Sequence, residues 1–257
     1  MSEPTVLLAR QGSTAILTLD DPQHRNVLSA PMVAAIGAAY DELERADDVT
    51  GVVLTGAGSA FCAGAELSTL ERAAAGDMGP VETVYDGFLR VLRSPLVTIA
   101  AVNGPAVGAG FNLALACDVR IAARGALFDT RFTTLDLHPG GGHTWLLQRA
   151  VGAQNAALVC LFGEVWDAER ARTGGLVASV HDAAELLPAA VTLAGRLAGH
   201  DPALVRRITA SLRLAASGSV DHDEMLRVET EAQEWSLRQP SFLRSLAALR
   251  RRITQPR

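Results

Sequence analysis

Cysteines, excess positive charge and long uncharged apolar stretches are all scarce in this chain of 257 residues. The three cysteines, Cys62, Cys117 and Cys160, are too few and too scattered for a disulfide framework or a C-x-x-C zinc site. Reduced, buried thiols are expected at Cys62 and Cys117, which lie in apolar runs. The best candidate for a membrane span is interrupted by two asparagines and an aspartate within 103–118, so the sequence predicts no membrane insertion.

A basic surface field and a targeting segment are also missing from the sequence. The net charge is −5 at pH 7, so no global positive field attracts nucleic acid or an anionic membrane. The N-terminal residues contain neither the basic stretch nor the long apolar stretch of a secretory signal. We therefore expect a soluble, cytoplasmic protein without a nucleic-acid partner.

The apolar content is high enough for a large buried core. Hydrophobic residues make up 49% of the chain and charged residues 20%, which excludes general disorder. Strand and helix patterns alternate to about Val180, and this alternation predicts an α/β fold with parallel strand pairing. From about Ala183 the pattern is helical. We predict an α/β core at 1–195 and a helical region at 196–257, whose exposed apolar stripes would favour a homo-oligomer.

Local signals predict several elements of the core. Residues 5–9 and 15–19 are two short strands that predict a hairpin. Residues 95–104 are apolar on both faces, as in a strand that is covered on both sides. A helix is expected from Ser29, which can cap it, and its apolar stripe would consist of Met32, Ile36, Ala39 and Leu43.

Glycine is concentrated in three segments, at 55–67, 103–112 and 138–144. Glycine-rich turns between a strand and a helix expose backbone N–H groups, so the ligand should carry a negative or developing negative oxygen. The second segment has the wrong glycine order for a dinucleotide-binding turn and no lysine for a P-loop, and the chain contains no G-x-S-x-G elbow. The structural alternative is that these glycines only permit close packing of helix and strand.

Five stretches carry a resemblance to a known family: HRNVLS (24–29), GAGSAFCAGAEL (56–67), VNGPAVGAGFNLALACD (102–118), ALFDTRFTTLDLHPGGGHTWLLQRAVG (126–152) and DAERARTGGLV (167–177). In order and spacing they resemble the crotonase (enoyl-CoA hydratase/isomerase) superfamily over nearly the whole chain. The resemblance implies a crotonase-like α/β spiral of ββα units with a C-terminal helical oligomerisation region, assembled as a trimer or a dimer of trimers. It also implies a coenzyme A thioester as substrate or ligand, no permanently bound cofactor, and a place in fatty-acid or other acyl-CoA metabolism.

The resemblance assigns an oxyanion hole to two backbone N–H groups. In the family one belongs to the residue after the glycine of the F-C-A-G stretch, here Ala65, and the other to the middle of the glycine-rich turn, here Ala109. Preorganised donors of this kind stabilise developing enolate charge on a thioester oxygen, and one donor is typically worth ~3–4 kcal/mol. Because an alanine keeps its N–H, the methyl group of Ala109 is compatible with this role.

The two glutamates of the hydratases are missing from the matching positions. The first falls on Asn112 and the second on Phe132. Neither side chain exchanges a proton near neutral pH, although Asn112 can orient a water or a carbonyl, whereas Phe132 can only pack. The sequence therefore departs from the hydratase pattern, and we do not expect standard hydratase activity.

Three residues of the loop after Phe132 are the candidate acids or bases: Asp136, His138 and His143. By its spacing before the next helix, His143 matches the position where a chlorobenzoyl-CoA dehalogenase of the superfamily has its nucleophilic aspartate, so this position can face the acyl group. An imidazole titrates near neutrality and suits proton transfer. The structural alternatives are a helix N-terminal residue for His143 and a backbone-bonded loop residue for His138. The spacing of the three matches no defined metal site, and no metal is expected.

The candidate CoA contacts follow from the same resemblance. Arg25 falls where the family places a basic residue toward the nucleotide phosphates, and Arg250 and Arg251 fall near the C-terminal basic position that reaches a neighbouring subunit's CoA. The remaining candidate substrate contacts are Ala63, Gly64, Glu66, Leu67, Gly108 and Gly110. For Glu66 the structural alternative is a carboxylate that supports the site indirectly or caps the following helix. A helix followed by a loop is expected over the acyl pocket at 71–84.

Hypotheses from different functional classes fit these residues. As an enzyme, the protein would polarise an acyl-CoA carbonyl and use one of the three titratable residues in an isomerisation, a hydrolysis or a non-standard lyase step. As a non-catalytic carrier or sensor, it would keep the oxyanion hole and bind acyl-CoA without turnover. A third hypothesis treats the chain as an assembly partner with a vestigial site.

Crotonyl-CoA tests the interpretation of the two missing glutamates. We expect no hydration at ordinary hydratase rates, because neither Asn112 nor Phe132 can pass a proton between water and the α-carbon. Loss of the conjugated enoyl absorbance over time measures the reaction. Hydration as fast as that by a typical family hydratase would show that this interpretation is wrong.

Overall fold

The computed structural model describes residues 5–254, which form two compact units that divide between residues 198 and 199. This division lies close to the one predicted after residue 195, and residues 1–4 and 255–257, which that prediction included, lie outside the described residues. In chain order the first unit contains β1 (Thr5–Gln11), β2 (Thr14–Asp20), α1 (Ala30–Arg45), β3 (Gly51–Gly56), α2 (Leu67–Ala74), α3 (Gly79–Leu92), β4 (Val97–Val102), β5 (Ala106–Val107), α4 (Ala109–Leu115), β6 (Val119–Ala123), β7 (Leu127–Asp129), α5 (His143–Phe162), β8 (Trp166–Asp167), α6 (Ala168–Thr173), β9 (Val180–His181) and α7 (Ala183–Gly195). The second unit contains α8 (Pro202–Ser217), α9 (His222–Leu237) and α10 (Pro240–Thr254).

A six-stranded sheet in the order β1-β2-β3-β4-β6-β9 forms the centre of the first unit. β1 and β2 form the predicted antiparallel hairpin, and the later neighbours pair in parallel. On β4, Ala100 and Val102 belong to the main core, whereas Ile99 and Ala101 pack into the cluster that α7 covers on the opposite face. This two-sided burial explains why the strand is apolar on both faces. The predicted α/β class is confirmed, and the short strands β5, β7 and β8 form a second sheet.

Helix α1 follows the predicted pattern with one change. The Ser29 hydroxyl accepts a hydrogen bond from the Met32 N–H at 3.4 Å, as a helix N-cap does. Met32, Ile36 and Leu43 of the predicted apolar stripe are buried, but Ala39 is only half-buried. Its place in the stripe is taken by Tyr40, which is fully buried. Tyr40 follows Ile36 by four residues, so both side chains lie on one face of the helix.

The segment at 71–84 contains the end of α2, a short turn at 75–78 and the start of α3, so the predicted helix and loop are followed by a second helix that was not predicted. Helix α2 ends at Ala74, and α3 begins at Gly79. The Asp77 carboxylate holds the turn between them, because it accepts a hydrogen bond from the Gly79 N–H at 3.2 Å and pairs with the Arg72 guanidinium at 2.5 Å. Hydrophobic periodicity does not reveal such local side-chain bonds to the backbone. Helix α3 therefore begins at Gly79, within the segment where a loop was expected.

Helices α8, α9 and α10 form the second unit. The Arg207 guanidinium lies over the Trp235 ring, 4.2 Å from its centre, and joins α8 to α9. The Ser241 hydroxyl donates to the Asp201 carboxylate at 3.2 Å and joins the starts of α10 and α8. Across residues 5–254, no helix has both the length and the apolar character that a membrane crossing requires.

The start of helix α4 packs very closely against residues 61–65, which precede α2. A Cβ atom on Gly110 would come within 2.1 Å of the Cys62 carbonyl oxygen, so only glycine fits this contact. Close packing, the structural alternative for the glycine-rich turn, therefore applies to Gly110. The contact sets the start of α4 against residues 61–65 and so positions the candidate site.

Replacing Gly110 with alanine should lower the free energy of unfolding by about 1–3 kcal/mol, because overpacking against a backbone group is poorly relieved. The matched control is Gly37→Ala in α1, where a Cβ atom would meet no described atom within 4 Å beyond its neighbours and the backbone of its own helix. Alanine should raise stability there by about 0.5–1 kcal/mol, since glycine is a poor helix former. Urea unfolding measures both changes, and wild-type stability in Gly110→Ala would contradict the close contact.

Candidate active site

Two asparagines hold the loop that follows β3. The buried Asn26 amide donates to the Ala60 carbonyl at 2.9 Å. The Asn103 side chain accepts a hydrogen bond from the Gly56 N–H at 3.0 Å and donates to the same Ala60 oxygen at 3.2 Å. This role of the two asparagines leaves no local sequence pattern, because the backbone partners are distant along the chain.

The loop then runs parallel to the glycine-rich turn before α4. The Val107 N–H donates to the Cys62 carbonyl at 3.0 Å, and the Cys62 N–H donates to the Pro105 carbonyl at 3.2 Å. Gly64 has a φ of 92°, and a Cβ atom there would lie 2.6 Å from the Val107 oxygen and 3.3 Å from the Ala109 nitrogen. Only glycine fits both the conformation and the contact, so Gly64 sets the two segments directly against each other.

The direction of the Ala65 N–H is fixed by the peptide unit that it shares with the Gly64 carbonyl. That carbonyl accepts a hydrogen bond from the Leu28 N–H at 2.8 Å. Because a trans peptide is planar, its N–H points opposite to its C=O, so the Ala65 N–H points away from Leu28. Burial raises the pKa of the Cys62 thiol to about 12, although the nearby Gly64 backbone lowers it by a smaller amount. Cys62 is therefore a neutral, buried thiol, as expected.

The same coupling directs the Ala109 N–H. The Gly108 carbonyl accepts hydrogen bonds from the N–H groups of Phe111 and Asn112, at 3.0 and 3.1 Å, in the first turn of α4. The Ala109 N–H, in the same peptide plane, points out of the start of the helix. Within residues 5–254, neither this N–H nor that of Ala65 has a protein acceptor, and both residues are partly exposed. Two fixed donors are thus available on adjacent segments.

Asn112, in the first turn of α4, pairs with His143, the first residue of α5. Nδ1 of His143 lies 2.5 Å from Oδ1 of Asn112. Nδ2 of Asn112 donates to the Gly140 carbonyl at 3.1 Å, and the backbone N–H of His143 donates to the same oxygen at 3.3 Å. Asn112 therefore orients an imidazole, where the sequence suggested a water or a carbonyl as its partner.

The imidazole of His143 is buried and neutral. The side chain has no exposed surface, and this burial lowers its pKa to about 4. The ring centre lies 5.4 Å from that of Phe111 and 5.2 Å from that of Phe132, in edge contacts. Phe132 thus packs, as expected. In the described part of the chain, Nε2 of His143 has no hydrogen-bond partner, which is unusual for a buried polar atom and marks a candidate functional group.

The other two candidate acids or bases lie outside this arrangement. Asp136 and His138 are exposed in the loop before α5. Nδ1 of His138 bonds to the Pro139 carbonyl at 2.8 Å, which is the structural alternative considered for it. Of the three candidates, the structure therefore joins only His143 to Asn112. Among the residues described, no group of three or more potential ligands could hold a metal ion.

Tyr85 is a residue of this site that the sequence did not indicate. Its half-buried ring lies on α3, with its centre 5.7 Å from that of Phe88. A Cβ atom on Gly140 would come within 2.2 Å of the Tyr85 hydroxyl oxygen. The hydroxyl therefore lies against the residue whose carbonyl binds Asn112. The apolar stripe of α3 predicts that Tyr85 lies near the core, but it gives no signal for this contact.

The candidate CoA contacts are divided between the two units. Arg25 is exposed, and its carbonyl accepts a hydrogen bond from the Ala63 N–H at 2.9 Å, so these two predicted contacts lie together. Arg250 and Arg251 are exposed on α10 in the second unit. The structure thus brings together the candidate CoA contacts of the stretches at 24–29 and 56–67.

A cavity of about 370 Å³ lies among the N-terminal parts of α1, α2 and α3, and Leu28 and Glu66 are among its lining residues. Leu28 both lines this cavity and donates its backbone N–H to the Gly64 carbonyl, so the cavity lies beside the Gly64 peptide. Glu66 stands at the N-cap position of α2, but its carboxylate makes no bond to the backbone of the helix and instead accepts a hydrogen bond from the Ser68 hydroxyl at 3.2 Å. Leu67 is exposed at the start of α2. A cavity of about 360 Å³ under α7 lies on the other face of the sheet and shares no lining residue with this site.

Protonation of His143 should destabilise the fold below neutral pH. Its pKa is about 4 in the folded chain and 6.5 as the ordinary value, so the unfolded state binds the proton first as the pH falls. The free energy of unfolding should decrease between about pH 6.5 and pH 4, by about 3 kcal/mol from this residue. Urea unfolding across this range measures the loss, which His143→Gln should lack and His138→Gln should keep. An unchanged pH dependence in His143→Gln would contradict the burial of a neutral imidazole.

Known proteins resemble the chain in sequence and fold. The family model for enoyl-CoA hydratase/isomerase matches residues 9–248. A probable enoyl-CoA hydratase of Mycobacterium tuberculosis is 48% identical, with 96% of this chain and 98% of that protein covered. The 1,2-epoxyphenylacetyl-CoA isomerase of Escherichia coli is 35% identical over 90% of each chain. The solved enoyl-CoA hydratase of Bacillus anthracis matches with a TM-score of 0.89, at 30% identity over 96% of both chains, and so confirms the crotonase-like fold. The chain therefore belongs to the enoyl-CoA hydratase/isomerase family.

Proposed function

We propose that the protein binds a coenzyme A thioester and stabilises its enolate through the N–H groups of Ala65 and Ala109. The observation that carries this proposal is the pair of oriented donors without a protein acceptor, on segments that meet at Gly64. Donors that are already oriented lower a barrier because they need no rearrangement when charge develops on the thioester oxygen. This arrangement supports a role in fatty-acid or other acyl-CoA metabolism, without a permanently bound cofactor.

We assign proton transfer in this reaction to His143. It is the one candidate among the three that a second side chain, Asn112, orients. The hydratase positions carry Asn112 and Phe132, which supply no proton at neutral pH. An isomerisation, a hydrolysis or a non-standard lyase step therefore suits the site better than hydration, and a relative from Escherichia coli is named as an isomerase.

A non-catalytic carrier or sensor is the second candidate function. The complete burial of His143, with the Phe132 ring against it, favours this alternative because no ligand atom reaches Nε2 in this conformation. The oxyanion donors would then serve binding alone. Both candidates predict thioester binding, and only the enzyme predicts turnover.

The CoA moiety is proposed to lie along Arg25, Ala63 and Leu67, beside the cavity that Glu66 lines, with its phosphates toward the exposed guanidinium. In a homo-oligomer, a trimer or a dimer of trimers, Arg250 of a neighbouring copy would add to this site. Assembly is supported by large exposed apolar residues on α8, α9 and α10, among them Leu212, Leu226 and Leu243. A cytoplasmic location is part of this proposal.

The variant Ala109→Pro tests the oxyanion role, because it removes one N–H at the first position of a helix, where proline is well tolerated. We expect the turnover of acyl-CoA substrates to fall by about 10²- to 10³-fold. Ala109→Gly, which keeps the N–H, should retain most of the turnover. A panel of enoyl-, acyl- and hydroxyacyl-CoAs, followed by chromatography of the products, measures these rates.

The same panel separates the candidate functions. Turnover that Ala109→Pro leaves unchanged would contradict the oxyanion hole. Tight thioester binding by calorimetry, with no turnover of any panel member by the wild type, would identify a carrier. The absence of any thioester binding would contradict both functions.

A further inference from the structure

We infer that Asn112 is a positioning residue: it holds His143 as the Nδ1–H tautomer and leaves Nε2 as the base that takes a proton from the carbon next to the thioester carbonyl. The assignment of the tautomer stands on hydrogen bonds within the protein. The assignment of the proton's source rests on the proposed function. Together they deepen that function to a proton shift within an acyl-CoA.

The orientation of the Asn112 amide follows from its second partner. A carbonyl oxygen only accepts hydrogen bonds, so the group 3.1 Å from the Gly140 oxygen must be the NH₂ of Asn112. The same Gly140 oxygen accepts from the His143 N–H at the start of α5, which keeps this carbonyl in place. The Asn112 oxygen therefore faces the imidazole, and the amide cannot be reversed without placing two acceptors against each other.

The tautomer of His143 follows from the amide orientation. The Asn112 oxygen is an acceptor, so Nδ1 of His143, 2.5 Å away, must carry a proton. Burial disfavours the doubly protonated, charged imidazole. The ring is therefore neutral, and its one proton is on Nδ1. Nε2 keeps a lone pair, and within the described residues this atom has no partner.

The surroundings of Nε2 favour proton transfer to a nearby apolar group. Phe111 and Phe132 flank the ring, and the imidazole has no exposed surface. Phe132 is only partly buried, so its ring is the one that an entering acyl chain would displace to reach the imidazole. Among the described residues, no carboxylate contacts His143. After proton transfer, the negative enolate would therefore be the charge that stabilises the protonated imidazole.

The step balances without an added reagent. The Nε2 lone pair takes the α-proton, the C–H electron pair becomes the carbon–carbon double bond of the enolate, and the carbonyl π pair moves to the oxygen held by Ala65 and Ala109. Nε2 then returns this proton, or one that solvent has exchanged onto the imidazole, to the same carbon or, in a β,γ-unsaturated acyl chain, to the γ-carbon, which isomerises the double bond. Addition of water would need a further group to activate it, and Asn112 and Phe132 offer none.

Nuclear magnetic resonance tests the tautomer without reference to activity. In ¹⁵N-labelled protein, long-range ¹H–¹⁵N correlations should show a protonated Nδ1 and an unprotonated Nε2 for His143, with His143→Gln used to assign the signals. Asn112→Leu should shift both nitrogen resonances toward the Nε2–H tautomer, because the acceptor is gone. Asn155→Leu, which removes another asparagine contact at α5, should leave them unchanged. A protonated Nε2 in the wild type, or no change in Asn112→Leu, would overturn the positioning role.

Exchange in heavy water tests the base. Butyryl-CoA should lose its α-protons to deuterium in the presence of the wild type, and His143→Gln should slow this exchange by about 10²-fold or more. Asn112→Leu should also slow it while butyryl-CoA binding, measured by calorimetry, is retained. Bound butyryl-CoA without exchange in the wild type would overturn the base role alone. Failure of butyryl-CoA and of every other thioester in the panel to bind would overturn the proposed function, whereas the tautomer result would still stand.

Discussion

The planarity of two peptide units connects the packing of this fold to its chemistry. At Gly64 and Gly108 the carbonyl groups are held by backbone N–H groups, and the N–H groups on the opposite side of the same peptides, those of Ala65 and Ala109, have no acceptor in the part of the chain that the structure describes. Rotating either peptide plane to redirect its N–H would break the hydrogen bond that its carbonyl accepts, and the residues of these carbonyls, Gly64 and Gly108, are buried and partly buried. The direction of the donors is therefore as rigid as the loop and helix behind them, which is what stabilisation of a developing oxyanion requires.

Helix α4 carries a proposed binding group and the side chain that orients the proposed base within one turn. Ala109 begins the helix, and Asn112 follows three residues later, so the proposed donor for the thioester oxygen and the amide that contacts His143 share one rigid element. The Gly140 carbonyl completes the arrangement, because it accepts hydrogen bonds from both Asn112 and the start of α5. A change in α4 would therefore move the proposed oxyanion hole and the proposed base together.

The sequence predicts those parts of the structure that are periodic or that carry a recognisable motif. Alternation predicts the α/β core, and the capping pattern predicts the start of α1 at Ser29. The choice among the three candidate acids or bases was not predictable, because it depends on which side chain between Asp136 and the first turn of α5 meets Asn112. That contact joins residues 31 positions apart and leaves no local pattern. Tyr85 was missed for the same reason, since its contact with Gly140 connects α3 to a distant loop.

A crystal structure with a bound saturated acyl-CoA would show whether the two N–H groups hold the thioester. We expect the thioester oxygen to lie about 2.7–3.2 Å from both the Ala65 and the Ala109 nitrogen. We also expect that Phe132 turns aside and that the α-carbon faces Nε2 of His143. A thioester oxygen bonded elsewhere, with both N–H groups facing water, would contradict the account.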